Sequence, residues 1–291
     1  MGAFALVIGL TAVLSWRLPY AGDEASHLVM VRHHAHHLDL VSWDEMQYGG
    51  ERGHSYFLFS PLPYAVYVPF ALLDEHVGDL PGAVRPDREL TRLGGGIVLA
   101  AAQLALTLAL VRRMIRSSDQ TTVTAIALAA NLLPQLRYIH AYPNTDGVTI
   151  LAGTACFWAA LRVLQSERVG LRDAALVGVL IGVTMHVRFQ AFLAAAVLLA
   201  AFAVRALQQS VSLRPRLRLL GVAVAIPVLL AGSFHLAIYD ELDNGHLLPT
   251  VDNEQLNDST YSGVLVAEPA AKSLVSRRVN QIPEVWMGVW A

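Results

Sequence analysis

Long apolar runs alternate with short polar connections along this chain. The runs cover residues 1–16, 93–111, 121–138, 148–161, 174–185, 189–204 and 219–238. Each approaches the roughly 20 residues that carry a helix across a bilayer, so the pattern predicts seven membrane-crossing helices. An eighth run, 56–73, is equally apolar but contains Pro61, Pro63 and Pro69. Proline lacks the amide proton and its ring clashes with the preceding turn, so this segment is predicted to be broken and to lie at the membrane interface. Over 25–40, Leu28, Val31, Ala35 and Leu38 recur at three- and four-residue spacing. That spacing predicts a helix with one apolar stripe, lying along the membrane. The expected fold is all-α, a polytopic transmembrane helix bundle of about seven spans over residues 1–238. Its first extracytoplasmic loop, 17–92, would hold interfacial helices, and residues 239–291 would form an extracytoplasmic tail leading to a further span, since 285–291 reads as the start of one.

Composition agrees with the pattern. Hydrophobic residues make up 55% and charged residues 15% of the 291, against about 25% charged in soluble proteins, and the mean hydropathy is +0.47. Charge then orients the bundle, because cytoplasmic loops collect Lys and Arg. Three short loops carry Arg112, Arg113 and Arg116, then Arg162, Arg168 and Arg172, then Arg205, Arg214, Arg216 and Arg218. The first long loop instead holds eleven acids against six arginines. The expected placement is the plasma membrane, with the N-terminus in the cytoplasm and loop 17–92, turn 140–147 and the tail outside. A signal peptide is the alternative for the first run, but no basic n-region precedes it and no clear small-residue cleavage site follows it. The arginines are spread over separate loops rather than gathered on one face, which excludes a nucleic-acid partner. The one cysteine, Cys156, lies in an apolar run and has no internal disulfide partner.

Chemistry-bearing residues concentrate on the outer side. Asp23, Glu24 and His27 follow the first run directly, and carboxylates so close to lipid are rare unless they do something. On a helix, Glu24, His27 and His34 share a face. Glu24 with His27 is half of a di-iron pattern and His33 with His37 could chelate zinc. No second such pair occurs, so a row of titratable interfacial histidines is the plainer reading; a divalent metal stays open as a cofactor. The segment from His54 to Tyr64 gathers aromatic residues suited to headgroup depth or to cradling an isoprenoid chain. The second outer turn holds Arg137, His140, Asn144 and Asp146. At least one of Asn144 and Asp146 is expected to cap the helix that follows, which does not exclude a second carboxylate reaching the site. Arg137 and Arg188 lie on the outer side against the charge rule, and each is expected either to snorkel to lipid phosphate or to clamp a phosphorylated substrate.

The order of these features resembles a known family. A short first span, Asp23-Glu24 with His27 opening a long outer loop, Ser60-Pro61-Leu62-Pro63-Tyr64, Arg92 before a Gly/Ala-rich span ending in Arg112-Arg113, and Leu133-Pro134 leading to Pro143-Asn144-Thr145-Asp146 together look like the GT-C superfamily of membrane glycosyltransferases, near its protein O-mannosyltransferase-like and DUF2142-like bacterial branches. The resemblance covers about 1–207. It implies an inverting enzyme that moves a sugar from a polyprenyl-phosphate-linked donor in the membrane lipid to an extracytoplasmic acceptor, whose identity the resemblance leaves open. Asp23 would be the catalytic base, with Glu24 beside it and Asp146 as the second-loop acid. Substrate contacts would fall to His27, His54, Tyr64, Arg137, His140, Asn144 and Arg188. Two features depart from the family: fewer spans than is usual, and Ser60-Pro61-Leu62-Pro63 where some branches carry His-Pro-Pro. A non-catalytic family member acting as an assembly partner is the alternative. A transporter is less favoured, because no half-repeat is visible.

Overall fold

The computed structural model describes residues 1–17, 24–37, 60–78, 89–115, 119–187, 191–209 and 212–242. Asp23, His54, Arg188 and the tail beyond 242 therefore lie outside the described residues. Those described form ten α-helices and no strand. They are α1 Gly2–Arg17, α2 Glu24–His36, α3 Val68–Gly78, α4 Glu89–Ile115, α5 Gln120–Asn131, α6 Pro134–His140, α7 Asp146–Gln165, α8 Leu171–Val187, α9 Phe192–Gln208 and α10 Leu213–Leu242. By length and composition, Leu90–Ile115, Asp146–Gln165 and Leu213–Gly232 can each cross a membrane; Gly2–Arg17 and Phe192–Gln208 are apolar but shorter.

Prolines explain where the elements break. In the 56–73 run, Pro61 caps the start of the 3₁₀ turn Leu62–Tyr64, Pro63 lies within it, and Pro69 falls in the first turn of α3, where its missing amide is harmless. The run is interrupted as expected, but α3 continues past residue 73 to Gly78. The run 121–138, expected as one helix, is two. Helix α5 ends at Asn131, and Pro134 opens α6, because its ring could not continue the preceding turns. Asp119 starts α5 by accepting the amides of Thr121 and Thr122, and these bonds hold its carboxylate below the usual range, the Thr122 hydroxyl contributing most.

Contacts at the helix ends fix the direction of each pass. The start of α4 meets the end of α1, where Arg92 donates to the Ser15 carbonyl at 2.9 Å. The end of α6 also lies there, since the His140 carbonyl closes on Gly96. At the opposite end, Arg113 and Gln165 bond reciprocally, Arg162 pairs with Asp173, Arg205 donates to the Ser166 and Glu167 carbonyls, and Arg216 to that of Gln209. The three arginine-bearing loops thus share one end of the bundle. The core joins α7, α8, α9 and α10 through Cys156, Val177, Ile181, Leu198, Phe202 and Ala223. Outward-facing large apolar side chains, Leu193 on α9 and Val228 and Leu229 on α10 among them, stay exposed. A continuous apolar exterior of this kind suits hydrocarbon rather than water.

Candidate functional site

The end opposite the arginine loops is where the acids meet. Helix α2 turns Glu24, His27, Val31 and His34 onto one face, and all four are buried. The polar edge foreseen from the sequence is therefore the packed face of this helix, while Val29, Arg32 and His36 point away. Glu24, fully enclosed, is paired with Nε of Arg92 at 2.9 Å. Arg92 also holds the Ser15 carbonyl, so a single guanidinium ties α2 to the junction of α1 and α4. His27 Nδ1 lies 3.0 Å from the Tyr64 hydroxyl, and the His34 ring tilts against the same tyrosine. His33 and His37 stack with centroids 4.9 Å apart, and His36 meets Glu75 of α3 at 2.9 Å. Among the described residues, no three His, Cys, Asp or Glu side chains gather in a way that could hold a metal ion.

Tyr67 joins the two outer segments. Its ring packs on Gly95 of α4, and its hydroxyl reaches the Tyr142 carbonyl at a long 3.5 Å. Burial pushes its pKa up, and the negative charges of Asp146 and Glu24 push the same way, while the Asn144 backbone amide opposes them. Two carboxylates from distant parts of the sequence therefore act on one enclosed phenol. Close approach explains the triple glycine at the start of α4. A Cβ on Gly95 would run into the Tyr67 ring, and one on Gly96 into the backbone carbonyl of His140.

The second outer turn is built around Asn144. Its amide donates to the Ile139 carbonyl at 2.6 Å and the Tyr142 carbonyl at 2.7 Å, and its Oδ1 accepts the Gly147 amide at 2.9 Å. Of the two residues expected to cap α7, Asn144 does so, and three of its four side-chain hydrogen-bonding positions are engaged within the turn. Asp146 sits half-buried in the first turn of α7, where the helix dipole favours it.

Arg137 departs from the snorkelling expectation. It neither reaches a surface nor snorkels, being 1% exposed, with Nη1 donating to the Thr11 hydroxyl at 2.9 Å and Nη2 facing His140 Nδ1 at 3.0 Å. The cause is α1, which closes over α6 and brings Thr11 to the guanidinium. His140 is fully enclosed beside it. Burial, reinforced by the Arg137 charge, holds the His140 pKa down to about 3.

Sequence reasoning singled out Glu24, His27, Tyr64, Asn144 and Asp146, and the structure brings these to one end of the bundle. It missed the pairing role of Arg92, and it missed Tyr67, Thr11 and Ser15. Arg92 carried a usable signal, an arginine at the outer end of a span. Tyr67 carried none that set it apart from the aromatics around it. Comparison of the chain with family models, with curated proteins and with solved structures finds no match.

Proposed function

We propose that this chain is a membrane glycosyltransferase that moves a sugar from a polyprenyl-phosphate carrier to an acceptor outside the cytoplasm. The observation that carries this reading is that Glu24, the neighbour of Asp23, and Asp146 lie near enough to the buried Tyr67 for both charges to push its pKa up, at the end away from the arginine loops. In this reading the alternating passes α1, α4, α5 with α6, α7, α8, α9 and α10 are seven crossings of the plasma membrane. The arginine loops then lie in the cytoplasm, as the charge rule favours.

The chemistry follows from the groups available. An acceptor hydroxyl is a poor nucleophile at neutral pH until a carboxylate takes its proton. Asp23 is that base. As the acceptor oxygen bonds to the anomeric carbon, the bond from that carbon to the phosphate oxygen breaks, and the electron pair leaves with the lipid phosphate. That product is already a stable anion and needs a cation rather than an acid, a role for Arg188. Glu24, with its charge balanced by Arg92, anchors the start of α2, and Asp146 orients the acceptor. Sugar transfer from a polyprenyl-phosphate donor in membranes holding the full chain tests this. Asp23→Ala should abolish transfer at unchanged protein level, and undiminished transfer would reject the reading.

A second reading, a non-catalytic assembly partner, draws on the enclosure of Glu24 behind Arg92, which resembles a structural joint. Turnover by the purified chain alone would dismiss it.

A further inference from the structure

Arg113, at the arginine end of the bundle, is a cation that the protein leaves open. Ion pairs among the described residues join His36 to Glu75, Arg92 to Glu24 and Arg162 to Asp173, and none involves Arg113. Of the acids at this end, Asp173 is held by Arg162 and Asp119 by the first amides of α5, while Glu167 is exposed. The loop residues 116–118 and 210–211 include no acid. Arginine offers five N–H donors. Arg113 uses one of them on Gln165, at a long 3.4 Å, and is only half-buried.

An apolar groove leads to this cation. Gln103 of α4 donates to the Thr154 hydroxyl of α7 at 3.0 Å, so the two helices run side by side, and both pass from the acidic end to the arginine end. At about 100° per residue, Ala102, Leu106 and Ala109 lie roughly a quarter turn from Gln103 on one side, in line with Arg113. Leu151, Ala155 and Trp158 lie roughly a quarter turn from Thr154 in the opposite sense. On parallel neighbours those opposite senses are the same side of the pair. Every one of these residues is half-buried, as the walls of a shallow groove would be. At its arginine end, Arg113 Cζ lies 5.5 Å from the centre of the Trp158 ring and Arg162 Cζ 5.9 Å. Two guanidiniums therefore share one indole, and Asp173 balances only the second.

We propose that the groove between α4 and α7 binds one anionic glycerophospholipid from the leaflet on the arginine side. An acyl chain lies along the two apolar strips, the phosphate meets Arg113, and Trp158 sits at headgroup depth, where tryptophan is favoured. Arg162, tied to Asp173, steadies the indole. A neutral lipid would leave Arg113 without a counter-charge, and a soluble phosphate would leave the strips uncovered; basic recesses between crossing helices suit an anionic headgroup with its chain attached. The inference rests on α4 and α7, both long and apolar enough to cross a membrane, and needs no step of sugar transfer.

Fluorescence of the full chain in phosphatidylcholine nanodiscs tests the site, with Trp158 kept as the single tryptophan and Trp16, Trp43, Trp286 and Trp290 replaced by Phe. Phosphatidylglycerol brominated on its acyl chain should quench Trp158 saturably, and at a lower mole fraction than brominated phosphatidylcholine does. Arg113→Gln should raise the mole fraction at half-effect about fivefold, as expected of one arginine near a membrane surface. Ala109→Leu fills the groove without altering charge, should weaken the quenching likewise, and serves if the arginine variant fails to fold. Equal quenching by the two lipids would overturn the proposal, as would an unchanged response in Arg113→Gln. An equal loss in Arg214→Gln, exposed on α10, would overturn it by giving the preference to diffuse surface charge. Reversal by glycerol phosphate in solution would overturn it too, by giving the site to a soluble phosphate.

Discussion

Replacing Glu24 with Gln would remove the negative charge paired with the buried Arg92 guanidinium. Removing one partner of a buried pair costs about 3–5 kcal/mol, whereas replacing both with apolar groups is often near neutral. Glu24→Gln should therefore lower the Tm sharply, and Glu24→Leu with Arg92→Met should recover much of the loss in a double-mutant cycle read by thermal unfolding. Gly96 makes a second test. The atom that blocks a Cβ there is backbone, the His140 carbonyl, and cannot swing aside, so Gly96→Ala should destabilise by about 1–3 kcal/mol. Gly221→Ala, with nothing within 4 Å, should be tolerated. His140 adds a pH dependence. Its folded pKa is depressed to about 3 against about 6.5 in an unfolded chain, so below pH 6.5 the unfolded state takes up a proton that the native state refuses. Stability should hold above pH 6.5 and fall as the pH drops from there toward 3. His140→Gln should flatten that slope in melts at stepped pH. At this level the sequence disclosed which groups were chemically unusual, such as Glu24, His27 and Asp146, because acids and histidines are conspicuous among apolar runs. It did not disclose that Arg92 answers Glu24 or that Thr11 answers Arg137. Those pairings depend on which helix faces which, and nothing local to either residue encodes it.

Helix existence was legible, because apolar runs of span length leave few alternatives. Helix boundaries and faces were less so. The break between α5 and α6 at Pro134 was readable from the proline alone, yet the apolar run continued through it and masked the stop. The buried face of α2 was legible in part: Leu28 and Val31 of the expected apolar stripe are buried, but so are Glu24, His27 and His34. Hydrophobicity assigns the inside of a helix only when its partner is apolar, and here Glu24 and His27 pack against Arg92 and Tyr64. The spacing of Gly178 and Gly182 on α8 is another such signal, small residues one turn apart that let backbones approach. Helix α10 uses it: a Cβ on Gly178 would lie 2.8 Å from that of Ile226, and one on Gly182 would lie 3.4 Å from Pro227 Cα. Gly182→Leu should force α8 and α10 apart. The expected readout is a lower Tm than that of the unchanged chain in thermal unfolding.

For the bundle as an entity, charge asymmetry was the most informative part of the sequence. The loops around Arg112, Arg162 and Arg205 were assigned to one side by counting alone, and direct contacts among them now join them at one end. The acidic segments could be placed on the other side, but their convergence on Tyr67 could not be foreseen, since it depends on the aromatic turn folding back over the triple glycine. The account stands on sidedness: Glu24, Tyr67 and Asp146 must face out of the cell while the arginine loops face in. In a Cys156→Ser background, a single cysteine at the exposed position His76 on α3 reports the acidic end, and one at the exposed position Arg172 on α8 reports the basic end. The direct measurement is labelling by a membrane-impermeant maleimide on intact cells. Labelling at residue 76 without permeabilisation, and at residue 172 only after it, is the expected result; the reverse pattern, or both positions labelled from one side, would contradict the account.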